Sequence, residues 1–136
     1  MSETSESERY AAITNEFLGA WNTQDVDKVL ACYTADVEYR DPNTRGTVQG
    51  SQAMSRYLEK LFANWQMRWE ARDVYPLVGE DVDGAAVRWR ATLRRPGGTV
   101  EVNVDGMDLV LLQDGLIAVN EVQFDRAVLL PLMSDG

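Results

Sequence analysis

One aspartate of the chain lies where an alternating strand pattern places a buried side chain. In the stretch DVEYRDP, side chains alternate between the two faces of an extended chain, so Val37, Tyr39 and Asp41 share one face. Val37 and Tyr39 are the hydrophobic members, which predicts that this face is the buried one. Asp41 is therefore predicted to lie inside the protein, where the strand ends before Pro42.

A second aspartate has the same property on a different strand. In the stretch VEVNVDGMDLVLL, Asp108 shares its parity with Val102, Val104 and Val110. Gly106 is a position where a β-bulge would shift the register of the strand. From Met107 onward, both alternating sets of side chains contain apolar residues, so the pattern distinguishes the two faces less clearly there. The pattern nevertheless predicts that Asp108 is interior.

Two buried carboxylates could move protons. Burial raises the pKa of a carboxyl group, and a second carboxylate nearby raises one pKa of the pair further. Near neutral pH this arrangement would give one ionised base and one neutral acid, which suits proton transfer at a carbon atom. A structural role is the alternative, because an aspartate before proline caps turns and a strand-end aspartate accepts backbone N–H bonds.

The residue types that are missing exclude other chemistry. The chain has no histidine, so a Ser-His-Asp triad and a histidine-ligated metal site are both excluded. Cys32 is the only cysteine; it is interpreted as a core thiol without a histidine to activate it. Lys28 and Lys60 are the only lysines, so aspartate or glutamate is expected to do any acid–base work, with no cofactor and no metal.

The composition indicates a single domain spanning residues 1–136. With 45% hydrophobic residues the chain can form one core, and its net charge of −9 argues against nucleic acid or an anionic membrane as partner. The acidic N-terminus is unlike a signal peptide, and no apolar run is long enough to span a bilayer. With one cysteine, a cytoplasmic location is expected, and the predicted partner is a hydrophobic small molecule.

Helical patterns come first and strand patterns later, which predicts an α+β fold. Residues 1–5 are expected to be disordered up to a first helix that Ser5 caps; Asp25 caps a second helix that includes Tyr33, and Ser51 caps a third. The strand VEYRD lies between the last two helices. Four strands then form a predicted antiparallel meander, and an apolar tail, AVLLPLM, is expected to close the fold or to contact a second subunit.

Three stretches resemble the nuclear-transport-factor-2-like superfamily. They are FLGAWNTQDVDKVLACYTADVEYRDP, GSQAMSRYLEKLF and DGMDLVLLQDGLIAVNEVQFD, and the resemblance covers about residues 8–130. The superfamily includes ketosteroid isomerases, SnoaL-like polyketide cyclases and limonene-epoxide hydrolases. The resemblance implies a cone-shaped barrel, a curved mixed or antiparallel sheet wrapped over three N-terminal helices. It also implies a homodimer and a ligand pocket in the mouth of the cone.

The resemblance to ketosteroid isomerases implies catalytic roles for both aspartates. Asp41 falls on the aspartate that moves the proton, and Asp108 falls on the protonated aspartic acid of the oxyanion hole. The tyrosine that donates the second oxyanion hydrogen bond falls on Phe17, which has no hydroxyl. The loss of one such donor costs on the order of 10²–10³ in rate. Tyr39 and Tyr57 are the candidates to replace it from another wall.

The resemblance to epoxide hydrolases is less complete. Arg88 and Tyr39 match the arginine and the tyrosine of that mechanism. Arg90 and Val122 replace its two aspartates, and Asp41 stands in the place of its asparagine. The base of the polyketide cyclases also falls on Val122. Neither mechanism transfers intact.

Further candidates concern the walls of the pocket. Phe17, Trp21 and Trp65 are predicted to line a roomy cavity, with membership of the core as the alternative. Arg88 is predicted to point outwards and pair with Glu101, or else to line the cone beside an interior acid. Glu121 could reach the pocket, a solvated position or a subunit interface.

The sequence therefore predicts a small cofactor-free enzyme of ketosteroid isomerase or polyketide cyclase type. Asp41 would abstract a proton from a hydrophobic carbonyl compound, and Asp108 would hydrogen-bond the enolate. The carbon skeleton would be held by four aromatic residues, Phe17, Trp21, Tyr39 and Trp65. The further substrate-binding candidates are Tyr57, Arg88 and Glu121. Two alternatives remain open, a non-catalytic binding or assembly module and an epoxide hydrolase or cyclase that uses the same two aspartates.

Overall fold

A computed structural model describes residues 5–133 of the chain. The predicted order of helices and strands is confirmed, with a short extra strand and two short helices in the tail. The elements are α1 (Glu6–Thr23), α2 (Val26–Leu30), β1 (Tyr33–Arg40), β2 (Val48–Gln49), α3 (Ser51–Asn64), β3 (Gln66–Pro76), β4 (Gly84–Arg94), β5 (Glu101–Gln113), β6 (Leu116–Gln123), a 3-10 helix (Arg126–Leu129) and α4 (Leu130–Met133).

All six strands form one mixed sheet in the order β2-β1-β6-β5-β4-β3. The predicted meander is confirmed, since β3 to β6 pair antiparallel in succession, whereas β1 joins β6 in parallel. The sheet is not closed into a barrel, because β2 and β3 remain at its edges. Helix α1 packs across β3 and β4, so the α+β fold class is confirmed.

Two of the three predicted helix caps are present. The Ser5 hydroxyl accepts the backbone N–H of Glu8 at 3.1 Å; of residues 1–5, which were expected to be disordered, residues 1–4 lie outside the described residues. The Asp25 carboxylate accepts two N–H groups at the start of α2. The third cap is wrong: Gly50, with φ of 86°, precedes α3, and the Ser51 hydroxyl donates to the carbonyl of Ala35 instead.

The apolar tail folds back over the sheet. Leu129 and Leu132 are buried, which confirms that the tail closes the fold. Two arginines hold this segment at its ends: Arg126 donates to the side chain of Asn43 at 2.8 Å, and Arg95 donates to the carbonyl of Leu132 at 3.3 Å. The tail thus covers the interior face next to the turn that follows β1.

Two side-chain amides anchor the end of α1 to the first half of β3. The Asn22 amide donates to the carbonyl of Trp69 at 3.1 Å and accepts its N–H at 2.7 Å. Gln24 accepts the N–H of Met67 at 2.7 Å and donates to the carbonyl of Trp65 at 2.9 Å. These bonds fix the position of β3 against the helix. Among residues 5–133, the structure contains no helix long and apolar enough to cross a bilayer.

Candidate active site

Asp41 lies at the end of β1 with its carboxylate fully hydrogen-bonded. As predicted, it shares the buried face with Val37 and Tyr39, and only 9% of its surface is exposed. One oxygen, Oδ1, accepts the backbone N–H groups of Asn43 at 2.7 Å and Thr44 at 3.1 Å. These two bonds are the turn-capping arrangement that a carboxylate before proline favours. Asp41 therefore has a structural role whether or not it is catalytic.

The second oxygen of Asp41 faces two tyrosines. Tyr39 Oη donates to Asp41 Oδ2 at 2.7 Å, and Tyr57 Oη donates to the same oxygen. Burial raises the pKa of both phenols, and the negative charge of Asp41 raises each pKa further, so both hydroxyls keep their protons. The structure thus brings together three of the predicted site residues. In this structure neither tyrosine replaces the donor missing at Phe17, because both hydroxyls donate to Asp41.

Asp108 lies in the middle of β5 and is 4% exposed, which confirms its predicted interior position. Trp89 Nε1 on β4 donates to its Oδ1 at 2.7 Å, and Asn120 Nδ2 on β6 donates to its Oδ2 at 3.2 Å. Burial raises the pKa of the Asp108 carboxyl to about 7, the two N–H donors lower it in part, and the charge of Asp41 raises it. Asp108 is therefore protonated in a large fraction of molecules near neutral pH.

A chain of buried hydrogen bonds leads from α1 to Asp108. Trp21 Nε1 donates to Tyr33 Oη at 2.9 Å, and Tyr33 Oη donates to Asn120 Oδ1 at 2.8 Å. Since Asn120 Oδ1 accepts from Tyr33, its Nδ2 must face Asp108, and the amide orientation is fixed. Tyr33 was predicted to belong to the second helix; it instead begins β1, where this bond holds its side chain inside.

A β-bulge explains why the sequence pattern did not identify Asn120. Leu112 pairs with Ile117 and Leu111 pairs with Val119, so Ala118 is an extra residue in β6. An extra residue inverts the two faces from that point onward. Asn120 consequently faces the interior, and Glu121, which shares its predicted parity with Ile117, faces outwards.

Glu121 and Arg88 are corrected as substrate-binding candidates. Glu121 pairs with Arg40 on the outer face of the sheet. Arg88 also points outwards, where its guanidinium meets Asp73 at 3.0 Å on β3 rather than the predicted Glu101. Strand alternation places both side chains opposite the interior residues Trp89 and Asn120. Within residues 5–133, Arg88 therefore does not form the arginine-centred arrangement of the epoxide hydrolases in the interior.

Among residues 5–133, the cavities that border the two aspartates are small, unlike the predicted roomy one. A cavity of about 10 Å³ borders Asp108, and its other walls are Phe17, Leu18, Trp21, Tyr39, Trp69, Asn120 and Val122. A cavity of about 30 Å³ borders Asp41, together with Trp65, Asn43, Leu61, Met67, Leu93, Phe124, Leu129 and four walls shared with the first, Trp21, Tyr39, Trp69 and Val122. Each has room for one or two water molecules. Side chains fill most of the space that the sequence pattern assigned to a ligand, so a ligand larger than a water molecule requires some of these walls to move.

Gly106 is needed for the position of Trp89. The two residues are direct partners across β4 and β5, and the pairing is regular, so Gly106 causes no bulge. A Cβ atom at Gly106 would overlap the indole ring of Trp89 and lie 2.7 Å from the carbonyl oxygen of Gln123. The missing side chain thus lets the indole lie where its N–H reaches Asp108.

We therefore expect Gly106→Ala to displace Trp89 and to lower the free energy of unfolding by about 1–3 kcal/mol, the usual cost of overpacking a core. Urea unfolding would measure the loss. Gly19→Ala is the matched control, because nothing lies within 4 Å of a Cβ at that helical position. Equal stability of the two variants would contradict the steric role of Gly106.

Comparison with known proteins agrees with this fold. No curated protein sequence matches the chain. A ketosteroid isomerase-like protein from Erwinia carotovora atroseptica SCRI1043 is 21% identical, with a TM-score of 0.69 over 90% of this chain and 98% of that one. TerC, crystallised with polyporic acid, is 18% identical, with a TM-score of 0.76 over 93% of this chain and 99% of its own. A protein of ketosteroid isomerase-like fold from Catenulispora acidiphila DSM 44928, in complex with trimethylamine, is 16% identical, with a TM-score of 0.77 over 88% and 90%.

Other similar structures have provisional names as a polyketide cyclase, a hydroxylase and an isomerase. At these identities the likeness shows the fold alone. The SnoaL-like domain family matches residues 14–120, which include both buried aspartates and every strand but the end of the last. The chain therefore belongs to the family of SnoaL-like domains, as the three stretches of its sequence indicated.

Proposed function

We propose that the protein is a small cofactor-free enzyme of ketosteroid isomerase or polyketide cyclase type, which transfers protons within a hydrophobic carbonyl substrate. The observation that supports it is a pair of buried carboxylates with opposite surroundings, bordering cavities that share four walls. Asp41 accepts four hydrogen bonds, two of them from backbone N–H groups, whereas Asp108 is more deeply buried and accepts two, both from side chains. Environments that separate two carboxyl groups in this way supply a base and an acid.

The reaction follows from these two states. Asp41 takes a proton from the carbon next to the substrate carbonyl, and the C–H electron pair becomes the carbon–carbon double bond of an enolate. Asp108, when protonated, donates a hydrogen bond to the oxygen on which the negative charge develops. Asp41 then returns the proton to the same carbon or to another, so the base is regenerated and no oxidant or reductant is consumed.

Asp41 can act as a base only if one donor leaves its carboxylate. Oδ1 is held by backbone N–H groups of the turn, which cannot withdraw without moving the chain. Oδ2 is held by Tyr39, which is fully enclosed, and by Tyr57, which is half-buried on α3. Tyr57 is therefore the donor that a substrate displaces when its carbon approaches Asp41.

A non-catalytic binding module is the second candidate function. The bonds from Asn43 and Thr44 to Asp41 favour it, because a turn cap alone is enough reason for a carboxylate at this position.

Proton–deuterium exchange distinguishes the candidates. The protein would be incubated in D₂O with ketones that have acidic α-protons, 2-tetralone and larger polycyclic analogues, and with a β,γ-unsaturated ketone. We expect deuterium incorporation at the α-carbon, or conversion to the conjugated ketone, faster than in buffer when followed by proton NMR. Saturable ligand binding without any exchange would reject the enzyme and favour the binding module. Hydration of a terpene epoxide with no ketone exchange would favour epoxide opening by the two aspartates.

A further inference from the structure

Trp69 contains a buried donor that the fold does not use. Its indole Nε1 is buried and has no hydrogen-bond partner among residues 5–133. Two of the other three tryptophans use this atom: Trp21 donates to Tyr33 and Trp89 donates to Asp108. Buried N–H groups are nearly always paired, because an unpaired one loses its bond to water without replacement. Without a partner among the described residues, the indole N–H of Trp69 is available to a water molecule or to a ligand oxygen.

The position of Trp69 points to a ligand as that partner. Its side chain is one of the four walls shared by the Asp108 cavity and the Asp41 cavity. It lies on the inner face of β3, opposite Ala91 on β4. The cavity at Asp108 is about 10 Å³, the space of a single oxygen atom or water molecule.

The ring of Trp69 is also held in place rather than free to find another acceptor. It packs edge-on against Trp89 with ring centres 4.6 Å apart, and against Trp21 at 6.0 Å. Its backbone is fixed at both polar atoms by the side chain of Asn22. A donor that is buried and unpaired, on a ring held by packing on two sides, resembles the preorganised donors that enzymes direct at a substrate oxygen.

We propose that Trp69 Nε1 donates a hydrogen bond to the carbonyl or enolate oxygen of the ligand, beside Asp108. This inference rests on the proposed function and names the second donor for its oxygen. That donor is missing at Phe17, and both tyrosines that could replace it are bonded to Asp41. The ligand class is a flat hydrophobic ketone or enol whose oxygen enters the Asp108 cavity first, with its ring system between Trp21 and Trp65.

A matched pair of probes tests the proposal without any need for turnover. 2-Tetralone and tetralin have the same bicyclic skeleton, but only the first has a carbonyl oxygen. In ¹⁵N-labelled protein the four indole N–H signals can be assigned with single Trp→Phe variants. We expect 2-tetralone to shift the Trp69 indole proton to higher frequency, as a new hydrogen bond requires, and tetralin to leave it nearly unchanged. A Trp69 signal that is unmoved by 2-tetralone up to its solubility limit would overturn the proposal.

Affinity provides the second readout. Trp69→Phe is expected to weaken binding of 2-tetralone about 2- to 10-fold more than binding of tetralin, the usual worth of one hydrogen bond. Trp65→Phe is the matched control, because Trp65 borders only the Asp41 cavity of the two, and it should weaken both probes alike. Equal losses for both probes in Trp69→Phe would reject the donor role and leave a packing role alone.

The outcomes also separate this inference from the proposed function. If 2-tetralone binds and shifts the Trp69 signal but no proton exchange occurs, the proposed enzymatic function is rejected and the donor role of Trp69 is supported. If proton exchange occurs but the Trp69 signal does not shift, the enzymatic function is supported and the donor role of Trp69 is rejected.

Discussion

Asp41→Asn is expected to slow ketone proton exchange by about 10²- to 10⁴-fold, the usual contribution of a positioned base. The amide has nearly the shape of the carboxylate but no oxygen basic enough to take a proton from carbon. Its oxygen can still accept the turn N–H groups of Asn43 and Thr44, and the hydroxyls of Tyr39 and Tyr57 can rotate to accept from its NH₂ group. The fold should therefore persist while exchange is lost. Single-turnover exchange followed by NMR would measure the change.

Asp36→Asn is the matched control for this experiment. Asp36 lies on the same strand as Asp41 but is exposed, so its substitution removes the same charge without touching the cavities. We expect its exchange rate to equal that of the unmodified protein. An Asp41→Asn variant that is correctly folded and retains full exchange would refute the assignment of the base.

Asp108 is expected to make the protein less stable as the pH rises from 5 to 8. Its pKa is raised from 3.8 to about 7 in the folded state, so the folded protein binds more protons than the unfolded chain between these values. The free energy of unfolding consequently falls as the pH rises through about 7, by about 3 kcal/mol between pH 5 and pH 8. Asp108→Asn should remove this part of the pH dependence, and urea unfolding at the two pH values would measure it.

The absence of histidine from the sequence makes the measurement clean, because no unperturbed side chain titrates between pH 5 and 8. Asp114→Asn provides the control. Asp114 is exposed in the β5–β6 turn with φ of 53°, a conformation that asparagine adopts readily. Its pH dependence should match that of the unmodified protein. If Asp108→Asn also keeps the full dependence, the proton-binding group lies elsewhere.

Much of the fold could be predicted because its signals are local. The helix caps at Ser5 and Asp25 depend only on neighbouring residues. The strand β5 was recognisable because side chains in a strand alternate between its two faces, and the apolar residues follow that alternation. The prediction for Ser51 was wrong because Gly50, a glycine with positive φ, takes the N-cap position before α3, and no side chain caps that helix. The prediction that Tyr33 belongs to the second helix was wrong because its hydroxyl bonds Asn120, a residue distant in sequence, and this bond outweighs the local helical pattern.

The site was only partly predictable because its remaining parts depend on long-range geometry. The alternation of side chains along the strands predicted that Asp41 and Asp108 are interior. The same alternation failed for Asn120, because Ala118 forms a β-bulge that only the pairing of β6 with β5 reveals. The hydrogen bond from Trp89 to Asp108 requires the space that the missing side chain of Gly106 leaves. The spacing of apolar residues in the sequence does not predict this contact. Cavity size was missed because it depends on how far the aromatic rings fill the interior, and composition does not fix this.

The amide bonds between α1 and β3 have a consequence for the behaviour of the protein at high concentration. β3 is an edge strand, and an uncovered edge offers its N–H and C=O groups as a template on which another chain can add. Asn22 and Gln24 already occupy these groups at Trp65, Met67 and Trp69, much as a seventh strand would. Asn22, which fixes the backbone of Trp69, and Gln24 thus also protect the first half of β3 from intermolecular aggregation.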